Sequence, residues 1–170
     1  MVLMLLAACA LRTPIVKAPS PAPVVFATVH DRYDDSGATA LPAPLVERLE
    51  ALLVARDLRP QAVDAATLAG FTSKRTPQSR LAVLESGALT FLVEAEAEYV
   101  SQLNGRMRWQ VDVRLSLDPP DGDPITDEVA VTVFLLFMHQ DADDAILDAS
   151  TVIERHASYM LDAYFSSLAP

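Results

Sequence analysis

The chain has 170 residues, 51% of them hydrophobic, with 23 acidic against 13 basic side chains and a formal net charge of −10. That balance excludes nucleic acid as a partner, because phosphate backbones are held by clustered Lys and Arg that displace counterions; here lysine occurs only at positions 17 and 74 and the eleven arginines are scattered. No apolar run reaches the roughly 18 residues of a membrane span, and a single Cys rules out a disulfide framework.

The N-terminal stretch is apolar from Val2 to Leu6 and closes on Ala7, Ala8 and Cys9, the only thiol in the chain. Leu6-Ala7-Ala8-Cys9 resembles a bacterial lipobox, which implies cleavage between Ala8 and Cys9 and lipidation of Cys9. A secretory signal normally opens on a basic segment before about 7–15 apolar residues. No Lys or Arg precedes Cys9, so residues 1–8 are expected to be the remnant of a longer signal. The alternative is a buried N-terminal element. Residues 9–23 then form a tether in which Pro14, Pro19, Pro21 and Pro23 stand among small residues. In polyproline II, at about 3.1 Å per residue, such a spacer holds a body up to roughly 40 Å from a bilayer. Two or three acyl chains anchor stably where one does not. Ala10, in place of the Asp that retains enterobacterial lipoproteins in the inner membrane, points to the outer membrane, with the body facing the periplasm.

Residues 24–170 are expected to form one domain. Val24 to Val29 is an apolar run of strand length. Leu45, Leu49, Leu52 and Leu53 repeat at helical spacing behind Pro42 and Pro44, where the missing N–H groups cost least. Arg59-Pro60 is expected to end that helix, with a short strand over residues 61–63. Asp64 is placed to cap a short helix, and Thr76-Pro77 opens another through Leu81 and Leu84 that stops at Gly87.

The strongest pattern follows. Phe91, Val93, Ala95, Ala97 and Tyr99 alternate with Glu94, Glu96 and Glu98; Met107, Trp109, Val111, Val113, Leu115 and Leu117 alternate with Arg106, Arg108, Gln110, Asp112, Arg114 and Ser116. Two alternating runs about Asn104-Gly105 predict a hairpin. A two-residue turn pairs Leu103 with Arg106 and sets apolar rows against polar ones, a one-residue slip that flips a face. A three-residue loop with Gly105 in the left-handed region pairs Gln102 with Arg106 instead. It sets Tyr99 opposite Trp109, Val93 opposite Leu115 and Glu94 opposite Arg114, and is the expected register. The three glutamates then read as a solvated face.

A Pro/Asp/Gly loop, Asp118 to Pro124, leads to a third strand over residues 125–138. Its odd row of Val129, Val131, Val133, Leu135 and Phe137 continues the core. Phe134, Leu136 and Met138 make the other row apolar too. A second covering layer is the expectation, since mixed sheets are often sandwiched; the other reading makes these three residues a partner surface. A long amphipathic helix over 141–167 closes the chain, with Asp141, Asp143 and Asp144 in its first turn, where the macrodipole favours negative charge.

The expected fold is α+β, a two- to three-layer sandwich with a mixed sheet of four or five strands in the order β-α-β-α-β-β-β-α. In that order of elements, carried by Leu45 to Leu58 leading to Val63 and by Gly87-Ala88 entering Phe91 to Tyr99, the chain resembles an envelope-lipoprotein group: the curli-secretion lipoprotein CsgG, the penicillin-binding-protein activator LpoB and the TolB N-terminal domain. Ala97-Glu98-Tyr99 and the strand-to-helix ending resemble LptE, the lipoprotein of lipopolysaccharide assembly. Of functional residues, these resemblances carry over only Ala8 and Cys9.

No G-x-S-x-G, Gly-rich phosphate loop, H-E-x-x-H or C-x-x-C occurs. His30 beside Asp31, Asp34 and Asp35 is the one conceivable metal loop, and solvated acids are its plainer reading. Asp118, Asp121 and Asp123 lack calcium-loop spacing. His139 reads as a helix cap and His156 as an edge or core residue. No catalytic residue, metal or cofactor is assigned. The expectation is a non-catalytic outer-membrane lipoprotein, anchored by lipid, whose body binds another envelope protein as assembly, secretion or activator subunit. Self-association stays open. A lipid or lipopolysaccharide assembly role is the alternative at the same location, and a degenerate hydrolase built on His30 or His139 the rival from another class.

Overall fold

The computed structural model describes residues 21–31, 37–84, 87–136 and 140–168. The lipobox, most of the tether, Asp34, Asp35, Phe137, Met138 and His139 lie outside them. Strand β1 (Ala22–Asp31) is followed by the two-residue β2 (Ala38–Thr39), helix α1 (Ala43–Val54), β3 (Leu58–Ala62), α2 (Ala65–Gly70) and a 3-10 turn (Phe71–Ser73). Then come α3 (Pro77–Leu84), β4 (Leu89–Leu103), β5 (Arg106–Asp118), β6 (Ile125–Leu135), α4 (Ala142–Asp148) and α5 (Ser150–Leu168).

The sheet has six strands in the order β2-β1-β4-β5-β6, with β3 also beside β1. It is mixed: β1 runs parallel to β3 and β4, while β4, β5 and β6 are antiparallel. This is the α+β sandwich the sequence predicts, with one strand more than expected.

Period-two alternation divides the sheet into two faces. The first face carries Phe26, Phe91, Val93, Val113, Leu115 and Leu117 against Leu45, Leu49 and Leu53 of α1, Ile146 of α4 and Ile153 and Leu161 of α5. Phe26 and Phe91 stack at 6.0 Å between ring centroids. Burial of each such side chain contributes about 1.5–3 kcal/mol, so this layer dominates stability. The second face carries a smaller cluster, in which Phe71, Leu81 and Leu84 pack on Ala27, Val29 and Leu92.

Three local features differ from expectation. Strand β3 runs straight through Arg59-Pro60. Among the described residues its one ladder is with β1, and an edge strand tolerates proline because on its outer side no N–H is needed for a ladder. The terminal helix breaks between α4 and α5 at Ala149. The hairpin keeps the expected flanking pairs Tyr99↔Trp109, Val93↔Leu115 and Glu94↔Arg114, but its turn is the two-residue one, with Leu103 opposite Arg106. Asn104 and Gly105 sit at φ 50° and 78°, the left-handed pair of a tight hairpin turn. The extra residue is Val100, bulged between Tyr99 and Ser101. The bulge resolves the contradiction between turn and rows that the sequence poses.

The caps follow the sequence. Asp64 accepts from the Thr67 amide at 2.7 Å, the main reason its carboxyl is held below the usual range. The Thr76 hydroxyl accepts from the Ser79 amide at 3.2 Å, and Asp141 and Asp144 form a reciprocal capping box at the start of α4. Arg48 donates to Glu154 at 2.8 Å and Arg56 to Asp162 at 2.9 Å, both across 106 residues. The constant offset shows that α1 and α5 lie side by side and run in the same direction.

Candidate functional site

Helices α2 and α3 are six and eight residues long and cover only the β1 side of the second face. Beyond them β4, β5 and β6 present their even residues to solvent, and here a depression of about 400 Å³ is lined by Asp31, Glu94, Glu96, Asp112, Arg114 and Glu128. Its floor consists of rows that run across the strands. Asp31 pairs with Glu96, Glu96 with Asp112, and Asp112 with Ala130. The neighbouring row is Val29, Glu94, Arg114 and Glu128, closed by an Arg114–Glu128 ion pair at 2.6 Å.

At the inner end of the depression stands Arg80 of α3, 1% exposed. Helical spacing puts Pro77, Arg80, Leu81 and Leu84 on the buried side of α3, and a guanidinium there needs carboxylates. Arg80 grips Asp31 with two bonds of 2.6 and 2.7 Å and donates to Glu94. Its guanidinium carbon lies 5.7 Å from the centre of the Phe71 ring, within cation–π range.

The two ends of this cluster are unequally satisfied. Burial alone lowers the Arg80 pKa, but its hydrogen bonds to Asp31 and Glu94 and their charges outweigh it and hold the guanidinium above its ordinary value. Burial raises Glu94 further than Arg80 and Arg114 pull it down. The directions are compatible because Arg80 answers to two carboxylates, whereas Glu94 shares its cation with Asp31. Glu96 is also raised, first by burial and then by the charges of Asp31, Asp112 and Glu98, against a smaller pull from Arg75. The glutamate stripe expected to be solvated is therefore graded: Glu94 is buried, Glu96 half-buried and Glu98 exposed. The cover supplied by α3 over the first part of β4 is the reason.

No family model matches the chain, and no curated protein is similar to it. Solved structures similar to it include rare lipoprotein B from Shewanella oneidensis, at 10% identity and a TM-score of 0.30 over 84% of this chain and 92% of that one. Lipoprotein GNA1162 from Neisseria meningitidis is similar at 12% identity and a TM-score of 0.43, over 81% and 99% of the two chains. The hypothetical protein CT253 from Chlamydia trachomatis is similar at 14% identity and a TM-score of 0.41, over 84% and 97%. Likenesses at these scores assign no activity.

The same face carries the candidate partner residues, and among the described residues no layer covers the end of β6. Phe134 and Leu136 are 43% and 59% exposed, because α2 and α3 are too short to reach across β5. Met138 lies outside the described residues.

The two described histidines, His30 and His156, each face a single carboxylate, and His139 lies outside the described residues. His30 is buried on the helix-covered face with Nδ1 2.9 Å from Asp143, while Asp31, its neighbour in sequence, points to the opposite face and Arg80. Strand alternation separates the two residues that the metal-loop reading joined. His156 Nδ1 meets Asp127 at 2.7 Å, the edge position expected for it. Among the described residues no group of three His, Cys, Asp or Glu side chains is arranged to hold a metal ion, and no helix is long and apolar enough to cross a membrane.

Sequence reasoning missed Arg80. The signal was present, since an arginine at the i−4 position of Leu84 falls on the apolar side of a short helix.

Proposed function

We propose that the protein is a non-catalytic lipoprotein of the outer membrane, held by acyl groups on Cys9, whose periplasm-facing body binds another envelope protein as an assembly, secretion or activator subunit. The observation that carries the partner reading is the exposed apolar pair Phe134 and Leu136 at the end of β6, a strand that among the described residues pairs on one side only. Edge strands with apolar faces are ready sites for another chain. The lipobox resemblance at Leu6 to Cys9 and the proline-rich stretch behind it supply the anchor. The depression on the same face of the sheet is lined by carboxylates and Arg114, which suits a polar partner better than acyl chains and so favours a protein over a lipid ligand.

Affinity capture from solubilised membranes tests this. The expected result is a stoichiometric envelope protein that Phe134→Asp releases while the thermal transition stays in place. Recovery of the chain alone under mild conditions overturns it, as does an unmodified Cys9 thiol in the mass of native material.

A further inference from the structure

We propose that the far end of the open face, where the β4–β5 hairpin turns beside the end of β6, takes an extended acidic segment of the envelope partner as an added strand on β6. This deepens the partner reading and rests on it.

Apolar exposure is concentrated at this end. Of the ten large apolar side chains exposed among the described residues, five are Tyr99, Val100, Leu103, Phe134 and Leu136, all in the hairpin tip or at the end of β6. Leu103 stands opposite Arg106 and Phe134 opposite Arg108, so alternation puts Leu103, Phe134 and both arginines on the open face. The chain carries a net charge of −10, yet among the described residues neither Arg106 nor Arg108 makes an ion pair. Glu98, one row further in, stands opposite Gln110 and pairs with neither. Two cations without counter-ions, set among exposed apolar side chains, fit an occupant that brings carboxylates and apolar groups together.

The backbone gives the form of that occupant. Leu103 and Arg106 flank a two-residue turn, so their amides and carbonyls face each other. Backbone groups alternate sides along a strand. Those of Met107 therefore turn to Leu135 of β6, and those of Thr132 and Phe134 turn outward, where β6 has no neighbour among the described residues. The Leu136 amide, on the same side as that of Phe134, is taken by the Gln140 side chain at 3.0 Å, which marks the end of the open ladder. An extended peptide satisfies such an edge with main-chain hydrogen bonds and reads the face with alternate side chains. An anionic bilayer fits less well, because electrostatic membrane binding uses clusters of about 4–8 Lys and Arg and has no use for a strand edge. A second copy brings its own excess of negative charge and is opposed by repulsion.

Fluorescence anisotropy with the full chain and a labelled hexapeptide at low ionic strength tests the site. The odd positions of the peptide are glutamate, leucine and glutamate, and its even positions are valine. The expected result is binding that Arg106→Gln/Arg108→Gln weakens about tenfold, the worth of two surface ion pairs, with the thermal midpoint unchanged. The control Arg59→Gln/Arg155→Gln removes two exposed arginines elsewhere and changes binding less than twofold. Methylating the leucine amide, which faces β6 in an added strand, abolishes binding. No binding by the parent chain, equal losses in both double variants, or full binding of the methylated peptide overturns the proposal. So does a dimer in sedimentation, or attachment to phosphatidylglycerol vesicles, that Arg106→Gln/Arg108→Gln abolishes. If membranes yield no partner but the peptide binds as described, the partner reading fails and the strand site stands. If a partner is captured and Arg106→Gln/Arg108→Gln leaves it bound, the strand site alone fails.

Discussion

Arg80 of α3 donates to Glu94 of β4 in the interior, and both side chains are 5% exposed or less. The contact joins the short-helix layer to the central strand by charge, at the point where the apolar cluster of Phe71, Leu81 and Leu84 gives out. Buried pairs are costly to break because the surviving charge is left without water. Arg80→Met is expected to destabilise the domain by about 3–5 kcal/mol, measured by chemical denaturation. Arg80→Met/Glu94→Leu should recover much of that loss, since removing both partners spares the desolvated charge. A double variant as unstable as Arg80→Met alone would show that Asp31, and not Glu94, governs the cost.

The two raised carboxyls give the domain an unusual response to pH. Glu94 and Glu96 both hold their protons more tightly folded than unfolded, where the ordinary value is 4.5. A group of this kind contributes stability that is fully present below about 4.5 and lost as pH rises through its higher folded value. Asp64 acts in the opposite sense: its lowered carboxyl contributes above 3.8 and its contribution is lost as the solution becomes more acidic. Thermal stability is therefore expected to rise as pH falls from 7 toward 5. Glu96→Gln should flatten that slope, as differential scanning calorimetry across the range would show. An unchanged slope in Glu96→Gln would remove Glu96 as a cause.

What could be read from the chain follows the range of the forces involved. The apolar rows of β4 and β5 and the Leu45, Leu49, Leu53 stripe were legible because local periodicity alone decides which face is buried. The Arg80 cluster was not, because Asp31, Arg80 and Glu94 come from three elements that only the parallel β1–β4 pairing brings together. Glu94 and Glu98 occupy equivalent positions in the alternation, yet one is buried and the other exposed. The difference depends on how far α3 reaches, which periodicity in β4 cannot contain. Pro60 misled for a related reason, since a proline that breaks a central strand is harmless on an edge.

The hairpin separates turn from register in a way that can be tested. With Val100 bulged, Tyr99↔Trp109 and Ser101↔Arg108 are successive pairs. Deleting Val100 should therefore close the ladder without moving either flank, and Tyr99 and Trp109 should keep their edge-to-face contact, now 5.7 Å between centroids. Amide exchange in β4 and β5 should stay as slow as in the parent. Gly105→Ala acts on the turn instead, where φ is 78°. A side chain in that region costs about 1–2 kcal/mol, read as a lower unfolding midpoint with the same native spectrum.

The pairing of α1 with α5 rests on charge at its rim and leucine at its centre, and the two contributions should respond differently to salt. Arg56, just past the end of α1, reaches Asp162 with two nitrogens at 2.9 and 2.8 Å and the Ser158 hydroxyl at 2.6 Å, and it also donates to the Leu52 carbonyl in the last turn of α1. Asp162 is exposed, so the ion pair itself is expected to contribute only about 0.2–1 kcal/mol in a double-mutant cycle of Arg56→Ala and Asp162→Ala, and to shrink as salt screens it. Leu49→Ala, at a fully buried position between α1 and the sheet, should cost about 2–5 kcal/mol with no such dependence on salt. A coupling between Arg56 and Asp162 that survives high salt would mean that the guanidinium acts through its bonds to Ser158 and Leu52, as a packed cross-brace between two helices running the same way.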